Sequence, residues 1–257
     1  MHPASSEHQR RRYIYGILMA AVGSMLFSGK AVLIKFAYAD GANAETLIAL
    51  RMLMAFPMFY SIYWWHSRKR SMSPLSWLDR GKLIGLGFLG YFLSSYVDFL
   101  GLQYISVGLE RIVLYLTPTI VLLISYFVLQ KPISRLQWYA LVVGYLGVII
   151  VFIQDASSTG IRAWIGMILV FSSACFYAVY MIGAGEMVKR IGSVRLVFYA
   201  SSASAAFSIT QSLIYSPTAM LEQLPQIYWL SLLNASLCTV IPMLMIMVSI
   251  NRIGSPL

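Results

Sequence analysis

Eight apolar blocks, each close to the length of a membrane-spanning helix, follow one another along the chain. A helix needs about 20 apolar residues to cross the hydrocarbon core of a bilayer. We number the blocks as the first to the eighth span; they cover about 13–36, 44–65, 82–100, 106–129, 136–153, 162–185, 193–214 and 226–250. They lack the alternation of apolar and polar residues that strands of a membrane barrel require. The pattern therefore predicts an all-α polytopic membrane protein.

The composition agrees with this class of protein. Hydrophobic residues make up 59% of the chain, charged residues make up 11%, and the mean hydropathy is +0.74, far from the values of soluble domains. The longest polar interval, residues 66–81, is too short to fold into a soluble domain. Three arginines, residues 10–12, precede the first span as they would in a signal peptide. That span is too long for one and seven more follow, so we expect it to be retained.

The basic residues are distributed unevenly between the two sides of the predicted bundle. With the N-terminus inside, 14 of the 19 basic residues lie on the inner side, Arg162 lies in an outer loop, and four lie within spans. This bias predicts a cytoplasmic N-terminus in the inner, or plasma, membrane. It also accounts for the net charge of +10 without a nucleic-acid partner, because basic flanks are ordinary at a bilayer surface.

The two halves of the chain share an order of elements. Segments 11–60 and 160–210 each hold two helices joined by a short loop, and a third helix and a brief turn follow in each half. The two turns are G101-L-Q-Y-I-S-V-G-L109 and S249-I-N-R-I-G-S-P-L257. Five helices separate the copies, so the second copy is inverted in the membrane, an architecture common in secondary transporters.

This comparison gives the expected domain organisation. Residues 1–12 form a basic cytoplasmic N-terminus, 13–154 form a first five-helix repeat, and 160–257 form a second, inverted repeat. In the first half, 110–154 follow the turn and supply two further helices, whereas the sequence stops at the second turn. We therefore expect the chain to be truncated by two helices from a bundle of ten.

Several stretches together resemble one known family, the EamA-type transporters of the drug/metabolite transporter superfamily. They are residues 94–124, which include E110-R111 ahead of Pro118, together with F27-S-G-K-A-V-L-I-K35, L129-Q-K-P-I-S-R-L-Q-W-Y-A-L-V-V-G-Y-L-G147 and A174-C-F-Y-A-V-Y180. The resemblance implies ten helices in two inverted halves, with a central cavity lined by the first four helices of each half. Lys131 departs from the acidic residue that the family often has after its fourth helix.

Six charged residues lie inside the predicted spans: Lys30, Lys35, Arg51, Asp98, Glu110 and Arg111. A charge inside a bilayer costs roughly 2.5–3.5 kcal/mol on insertion scales, so such residues usually face a protein interior or water. The predicted orientation places all six toward the outer side.

Two interpretations of these charges remain open. In the first, Lys35 and Arg111 extend to the outer head groups, and Asp98 or Glu110 pairs with a neighbouring cation as a structural contact. In the second, the cluster lines an aqueous outer vestibule and binds a polar or carboxylate-bearing solute. Lys30 and Arg51, the deepest cations, are then the strongest candidates. Asp98 or Glu110 would also suit proton coupling, which the sequence does not decide.

Aromatic and glycine residues add weaker signals. Tyr115, Tyr177 and Tyr180 could stack on a ligand, although aromatic residues on membrane helices more often serve packing. The candidate substrate-binding residues are thus Lys30, Arg51, Asp98, Glu110, Arg111, Tyr115 and Tyr180. Gly81 and Gly85 form a G-x-x-x-G motif, which predicts close packing between helices of the bundle, with a dimer contact as the weaker alternative.

Nothing in the sequence supports an enzyme or a cofactor. His2, His8 and His66 lie outside the spans, so histidines cannot build a haem or metal site within the bundle. No H-E-x-x-H, P-loop or G-x-S-x-G motif occurs. We therefore expect no enzymatic activity and no cofactor.

The predicted function is that of a secondary transporter. It would move small polar metabolites or drug-like solutes across the inner membrane by alternating access, with export as the expected direction. The expected partners are a small-molecule solute and the lipid bilayer, with a homodimer as an option. A membrane channel or a non-transporting receptor is the alternative, and saturable counterflow would distinguish a carrier from a channel.

Overall fold

The computed structural model describes residues 3–69, 74–130, 132–155 and 161–253, and every regular element within them is a helix. Single helices form five spans: Pro3–Ala39, Ala44–Lys69, Arg135–Asp155, Ile161–Ile191 and Ser193–Tyr215. The third span combines Trp77–Leu86, Gly87–Leu93 and Ser94–Leu102, the fourth combines Val107–Leu114 and Thr117–Phe127, and the eighth combines Pro225–Ala235, Ser236–Val240 and Ile241–Ile253. Lys131 and residues 254–257, which entered the predictions above, lie outside the described residues.

Within the described ranges, six spans are long and apolar enough to cross a membrane on length and composition: the first to the fourth, the sixth and the eighth. The fifth and seventh spans are helices of 21 and 23 residues. The seventh buries a row of serines against its neighbours, namely Ser201, Ser204, Ser208 and Ser212. The predicted all-α polytopic membrane protein is confirmed.

Local signals in the sequence explain where several helices begin and end. The Ser76 and Ser106 hydroxyls accept hydrogen bonds from the backbone N–H groups of Asp79 and Leu109, each at 3.1 Å, which caps the third and fourth spans. Gly192, with φ of +83°, links the sixth and seventh spans by itself. A glycine adopts this left-handed conformation without steric cost. The two helices therefore fold back on each other with almost no loop.

The spans pack in pairs. The first span packs along the eighth, the third along the sixth, and the second along the seventh. The fourth span packs on the sixth, and the fifth span packs mainly on the fourth. The fifth span is therefore peripheral to the bundle.

Of the three buried clusters in the described residues, the smallest lies around Leu109 and Val170, between the fourth and sixth spans, and the other two are larger. The larger of these two joins the second, third, sixth, seventh and eighth spans around Tyr91, Tyr180 and Met247. The smaller of these two joins the first, second, third and eighth spans around Ile48 and Phe99. Met243 and Ile250 of the larger cluster also line the candidate site.

Glycines permit the closest contacts between spans, though not at the predicted motif. A Cβ atom on Gly90 would collide with the ring of Tyr180, and one on Gly101 would lie 2.9 Å from the carbonyl oxygen of Gly166. Both contacts join the third span to the sixth. Gly81 and Gly85 have nothing within 4 Å of such an atom, so the packing within the bundle predicted from G-x-x-x-G is wrong. The motif lies on an exposed face of the third span.

Three spans depart from regular α-helix. Residues Gly87–Leu93 of the third span and Ser236–Val240 of the eighth are π-helical, a rare conformation that is frequent at functional sites. The Thr239 hydroxyl donates to the Asn234 carbonyl at 2.8 Å and satisfies the widened turn. The fourth span is interrupted at residues 115–116, just before Pro118.

Candidate functional site

A cavity of about 640 Å³ lies between the first, third, fourth, sixth and eighth spans. Along the first span it extends from Tyr13 to Lys30, a distance of about 25 Å at 1.5 Å per residue. Ser249 and Ile250 of the eighth span also line it near its Tyr13 end. The cavity therefore extends from the charged residues toward the membrane side on which the N-terminus lies.

The end of the cavity at Lys30 holds the charge cluster, which we define as Lys30, Arg51, Asp98, Glu110 and Arg111. Lys30 Nζ lies 2.5 Å from Asp98 Oδ2, and both side chains are almost fully buried. The ion pair joins the first span to the third. Because the two charges are removed from water together, each offsets part of the desolvation cost of the other.

Glu110 and Arg111 bring the fourth span to the same place. Glu110 is fully buried, and its carboxyl group lies close enough to Lys30 and to the Asp98 carboxyl group to interact electrostatically with both. Arg111 Nε lies 2.9 Å from Glu110 Oε2, but the N–H direction does not make a hydrogen bond to that oxygen. Three spans thus meet at this end of the cavity, and Arg51 of the second span adds a fourth.

Arg51 lies behind the cavity wall. Its guanidinium group is 4.8 Å from the centre of the Phe99 ring, and Lys30 Nζ lies 5.6 Å from the same ring. Asp98 is the carboxyl group within electrostatic range. Arg51 is 1% exposed, which places a whole guanidinium group in the protein interior without an ion-pair partner among the described residues.

Several polar atoms of the cluster have no hydrogen-bond partner among the described residues. They are Nε and Nη2 of both Arg51 and Arg111, Oδ1 of Asp98 and both carboxyl oxygens of Glu110. Buried polar groups are normally hydrogen-bonded, because an unsatisfied one costs roughly 1–3 kcal/mol. Of these residues Asp98 and Arg111 line the cavity, so their free positions are the ones suited to bind a polar group that enters it.

The remaining wall of the cavity is aromatic and hydroxylated. Phe27 and Tyr177 face each other with ring centroids 6.4 Å apart and an interplanar angle of 18°, and Tyr115 lies opposite on the fourth span. The Ser94 hydroxyl donates to the Ser173 carbonyl at 3.2 Å. This wall can hold an apolar or planar body next to the charged end.

The structure separates the predicted site residues into three groups. Lys30, Asp98, Arg111 and Tyr115 line the cavity. Arg51 and Glu110 belong to the charge cluster but do not line the cavity. Their role in substrate binding stays a prediction, as does that of the lining residues.

Tyr180 lies elsewhere, in the larger core cluster. Its hydroxyl donates to the Tyr91 hydroxyl at 2.8 Å, and it does not line the cavity. Lys35 is half-buried and also lies outside the cavity wall. The outer vestibule stays a prediction; in this structure the cluster is buried, and the cavity extends from it toward the side on which the N-terminus lies.

Sequence reasoning missed Phe27, Ser94 and Ser173. The signal was present for the first two, because Phe27 is three residues before Lys30 and Ser94 is four residues before Asp98. Residues at these spacings share a helix face. Ser173 carried no comparable signal.

Comparison with known proteins identifies the family. The model of the EamA-like transporter family matches residues 14–153, more than half of the chain. The chain belongs to the EamA-like transporter family. As a member of this family it is a multi-pass membrane transporter.

Individual relatives agree with the EamA-like assignment. The chain is 27% identical over 256 residues to the "Uncharacterized transporter YcbK" of Bacillus subtilis (strain 168), covering 98% of this chain and 82% of the relative. It is 23% identical over 164 residues to the "Uncharacterized transporter YoaV" of the same organism, covering 64% of this chain and 54% of the relative. A solved structure titled "Crystal structure of protein" shares the fold with a TM-score of 0.68 and 15% identity, covering 92% of this chain and 79% of the other.

Proposed function

We propose that this EamA-like protein is a secondary carrier that exports small polar metabolites or drug-like solutes by alternating access. The observation that carries the proposal is the cavity of about 640 Å³ that ends at a buried, incompletely satisfied charge cluster. A cavity of this size, mostly apolar with a few convergent polar groups, is typical of small-molecule sites.

The closed end of the cavity favours a carrier over a channel. Lys30, Arg51, Asp98 and Glu110 are each at most 3% exposed, and the Lys30–Asp98 ion pair joins two spans across that end. A channel would need a continuous aqueous path past these residues. A carrier needs a site that is accessible from one side at a time, which this arrangement suits.

The pairing of the spans supports alternating access between two inverted repeats, 13–154 and 160–257. In the proposed repeats the first span corresponds to the sixth, the second to the seventh and the third to the eighth. The pair formed by the first and eighth spans therefore corresponds to the pair formed by the sixth and third, and the pair formed by the second and seventh corresponds to itself. Both such pairs are observed, and the two π-helical segments lie in the third and eighth spans, which also correspond. In this scheme one pair would rock against the other around the central site.

The proposed orientation places the N-terminus in the cytoplasm and the protein in the plasma membrane. The concentration of basic residues on one side supports it. The cavity then extends toward the cytoplasm, so this conformation is accessible to a cytoplasmic solute, which is the loading state that the proposed export requires.

Counterflow in proteoliposomes tests the proposal. Purified protein is reconstituted, loaded with one unlabelled solute of a panel at a time, and diluted into a trace of the same solute carrying a label. We expect at least one solute to accumulate transiently, with uptake that saturates and that excess unlabelled solute abolishes. Liposomes without protein provide the control. A conductance that rises linearly with solute concentration, without counterflow, would indicate a channel and refute the carrier.

A further inference from the structure

We propose that the transported solute is an organic anion, with its acidic group bound at the charge cluster and an apolar body along the aromatic wall. The inference rests on the proposed function, since it names the class of solute that the same cavity carries. It goes further by excluding solutes whose only charge is positive.

The charges of the cluster do not balance. Lys30, Arg51 and Arg111 supply three positive charges, whereas Asp98 and Glu110 supply at most two negative ones. Asp98 pairs with Lys30, Glu110 lies against Arg111, and Arg51 is left without an ion-pair partner of its own among the described residues. An uncompensated charge in a protein interior is strongly unfavourable. A bound anion would supply the missing negative charge.

The free hydrogen-bond donors point to the same kind of ligand. Arg111 lines the cavity, and its Nε and Nη2 atoms have no hydrogen-bond partner within the described part of the chain. The guanidinium fork of arginine matches a carboxylate with two parallel hydrogen bonds. Arg51 does not line the cavity, so it would act on the anion through its charge rather than by contact.

The free carboxyl oxygens of Glu110 and Asp98 do not make the cavity favour a cation over an anion. Glu110 is fully buried behind the cavity wall, so a solute in this cavity does not contact it. Asp98 lines the cavity, but its Oδ2 already accepts from Lys30 at 2.5 Å. A cationic group entering here would meet Lys30 and Arg111 at the same wall, and their repulsion would oppose its binding.

The rest of the solute must suit an apolar wall. Phe27 and Tyr177 present stacked rings beside Lys30, and Val121 and Met243 continue the surface away from the cluster. Aromatic and aliphatic side chains of this kind bind a planar or apolar body by excluding water. The ligand therefore combines one acidic group with a hydrophobic remainder.

Three probes of nearly equal size test whether the cavity prefers an anionic, a neutral or a cationic solute. Purified protein in detergent is titrated with 3-phenylpropanoate, with the neutral 3-phenylpropanamide, or with the cationic 3-phenylpropylammonium, and its melting temperature is followed by tryptophan fluorescence. We expect the anion to raise the melting temperature saturably, with an apparent affinity at least about tenfold above that of the amide, as expected for hydrogen bonds to a charged group. The cation should have no saturable effect.

Two variants connect the effect to the cluster. Arg111→Gln should remove the preference for the anion over the amide. Arg68→Gln should preserve it, because Arg68 stacks on Trp64 at 3.7 Å and does not line the cavity. If Arg111→Gln fails to fold, Arg111→Lys serves instead, and losing the fork should then reduce the preference several-fold while the charge remains.

The outcomes separate this inference from the proposed function. Equal affinity for anion and amide, a preference for the cation, or no stabilisation by any of the three probes would overturn the anion site. If a neutral or cationic solute shows saturable counterflow while the anion does not, the anion site fails and the carrier stands. If the anion binds with the expected preference but shows no counterflow, the site stands and the carrier fails.

Discussion

Lys30 and Asp98 are 68 positions apart in the sequence, and their side chains form a 2.5 Å ion pair in the protein interior. The pair joins the first span to the third at the end of the cavity. It has two consequences, one for folding and one for transport, and the two can be separated by mutation.

Neutralising Lys30 alone should destabilise the protein. Lys30→Met leaves the Asp98 carboxylate buried without its partner, a change that costs about 3–5 kcal/mol in buried pairs. Expression and melting temperature measured by size-exclusion chromatography of a fluorescent fusion should fall. Lys189→Met, at an exposed residue in the last turn of the sixth span, is the matched control and should behave as the parent.

Neutralising both Lys30 and Asp98 should recover much of the stability that Lys30→Met loses. Lys30→Met with Asp98→Asn removes both buried charges, so expression should recover relative to Lys30→Met alone. If the double variant folds and also transports at the parent's rate, the pair is structural only, and its proposed role in the carrier site is refuted. Recovery of folding without transport supports that role.

The salt bridge between Asp79 and Arg190 should matter much less than the Lys30–Asp98 pair. Arg190 Nη1 lies 3.1 Å from Asp79 Oδ1, but the arginine side chain is 57% exposed. Exposed pairs contribute about 0–1 kcal/mol and are screened by salt. Arg190→Gln should therefore lower the melting temperature by only a few degrees, and less in high salt. A loss as large as that of Lys30→Met would show that this pair holds the third and sixth spans together.

Gly90 should not tolerate a side chain, whereas Gly85 should. In Gly90→Ala the new Cβ would collide with the ring of Tyr180, and forcing the third and sixth spans apart would cost about 1–3 kcal/mol. Gly85→Ala places its Cβ where nothing lies within 4 Å, and alanine favours the helix. Melting temperatures of the two variants test this directly. Equal tolerance at both positions would contradict the observed packing.

The orientation can be tested by cysteine labelling in a variant with Cys175 and Cys238 replaced by serine. The exposed positions Asn43 and Thr218 should react as cysteines with a membrane-impermeant maleimide added outside cells, because both lie in predicted outer loops. A cysteine replacing the exposed Pro74, between the second and third spans, should react only after the membrane is opened. Outside labelling at position 74 with protection at the other two would reverse the proposed topology.

The spans, and the need of the charges within them for partners, could be predicted from the sequence because each follows from a single strong constraint. Membrane thickness fixes the length of an apolar helix, so the positions of the spans were readable. A charge inside a membrane must find a partner or water, so the six charged residues could be expected to do so, but which of them meet depends on helix packing that the sequence does not show.

The position of Tyr180 could not be predicted in the same way. An aromatic side chain is tolerated on any face of a membrane helix, so its identity does not show which way it points. Close contact at Gly90 brings Tyr180 against the third span and into the core. Likewise, Gly81 and Gly85 have the spacing of a packing motif, but the rotation of the third span leaves them exposed.

The π-helical segment Gly87–Leu93 also determines which residues of the third span can meet the solute. Tyr91 and Asp98 are seven residues apart, a spacing that returns a side chain to nearly the same face of an unbroken α-helix. Here Tyr91 contacts Tyr180 on the sixth span, and Asp98 contacts Lys30 on the first. Deleting one residue from the wide turn would rotate everything after it by about 100° relative to what precedes it. The π-helical segment thus sets the angle between the face of the third span that packs on the sixth span and the face that meets the solute. The number of residues in the segment matters more to this angle than any one of its side chains.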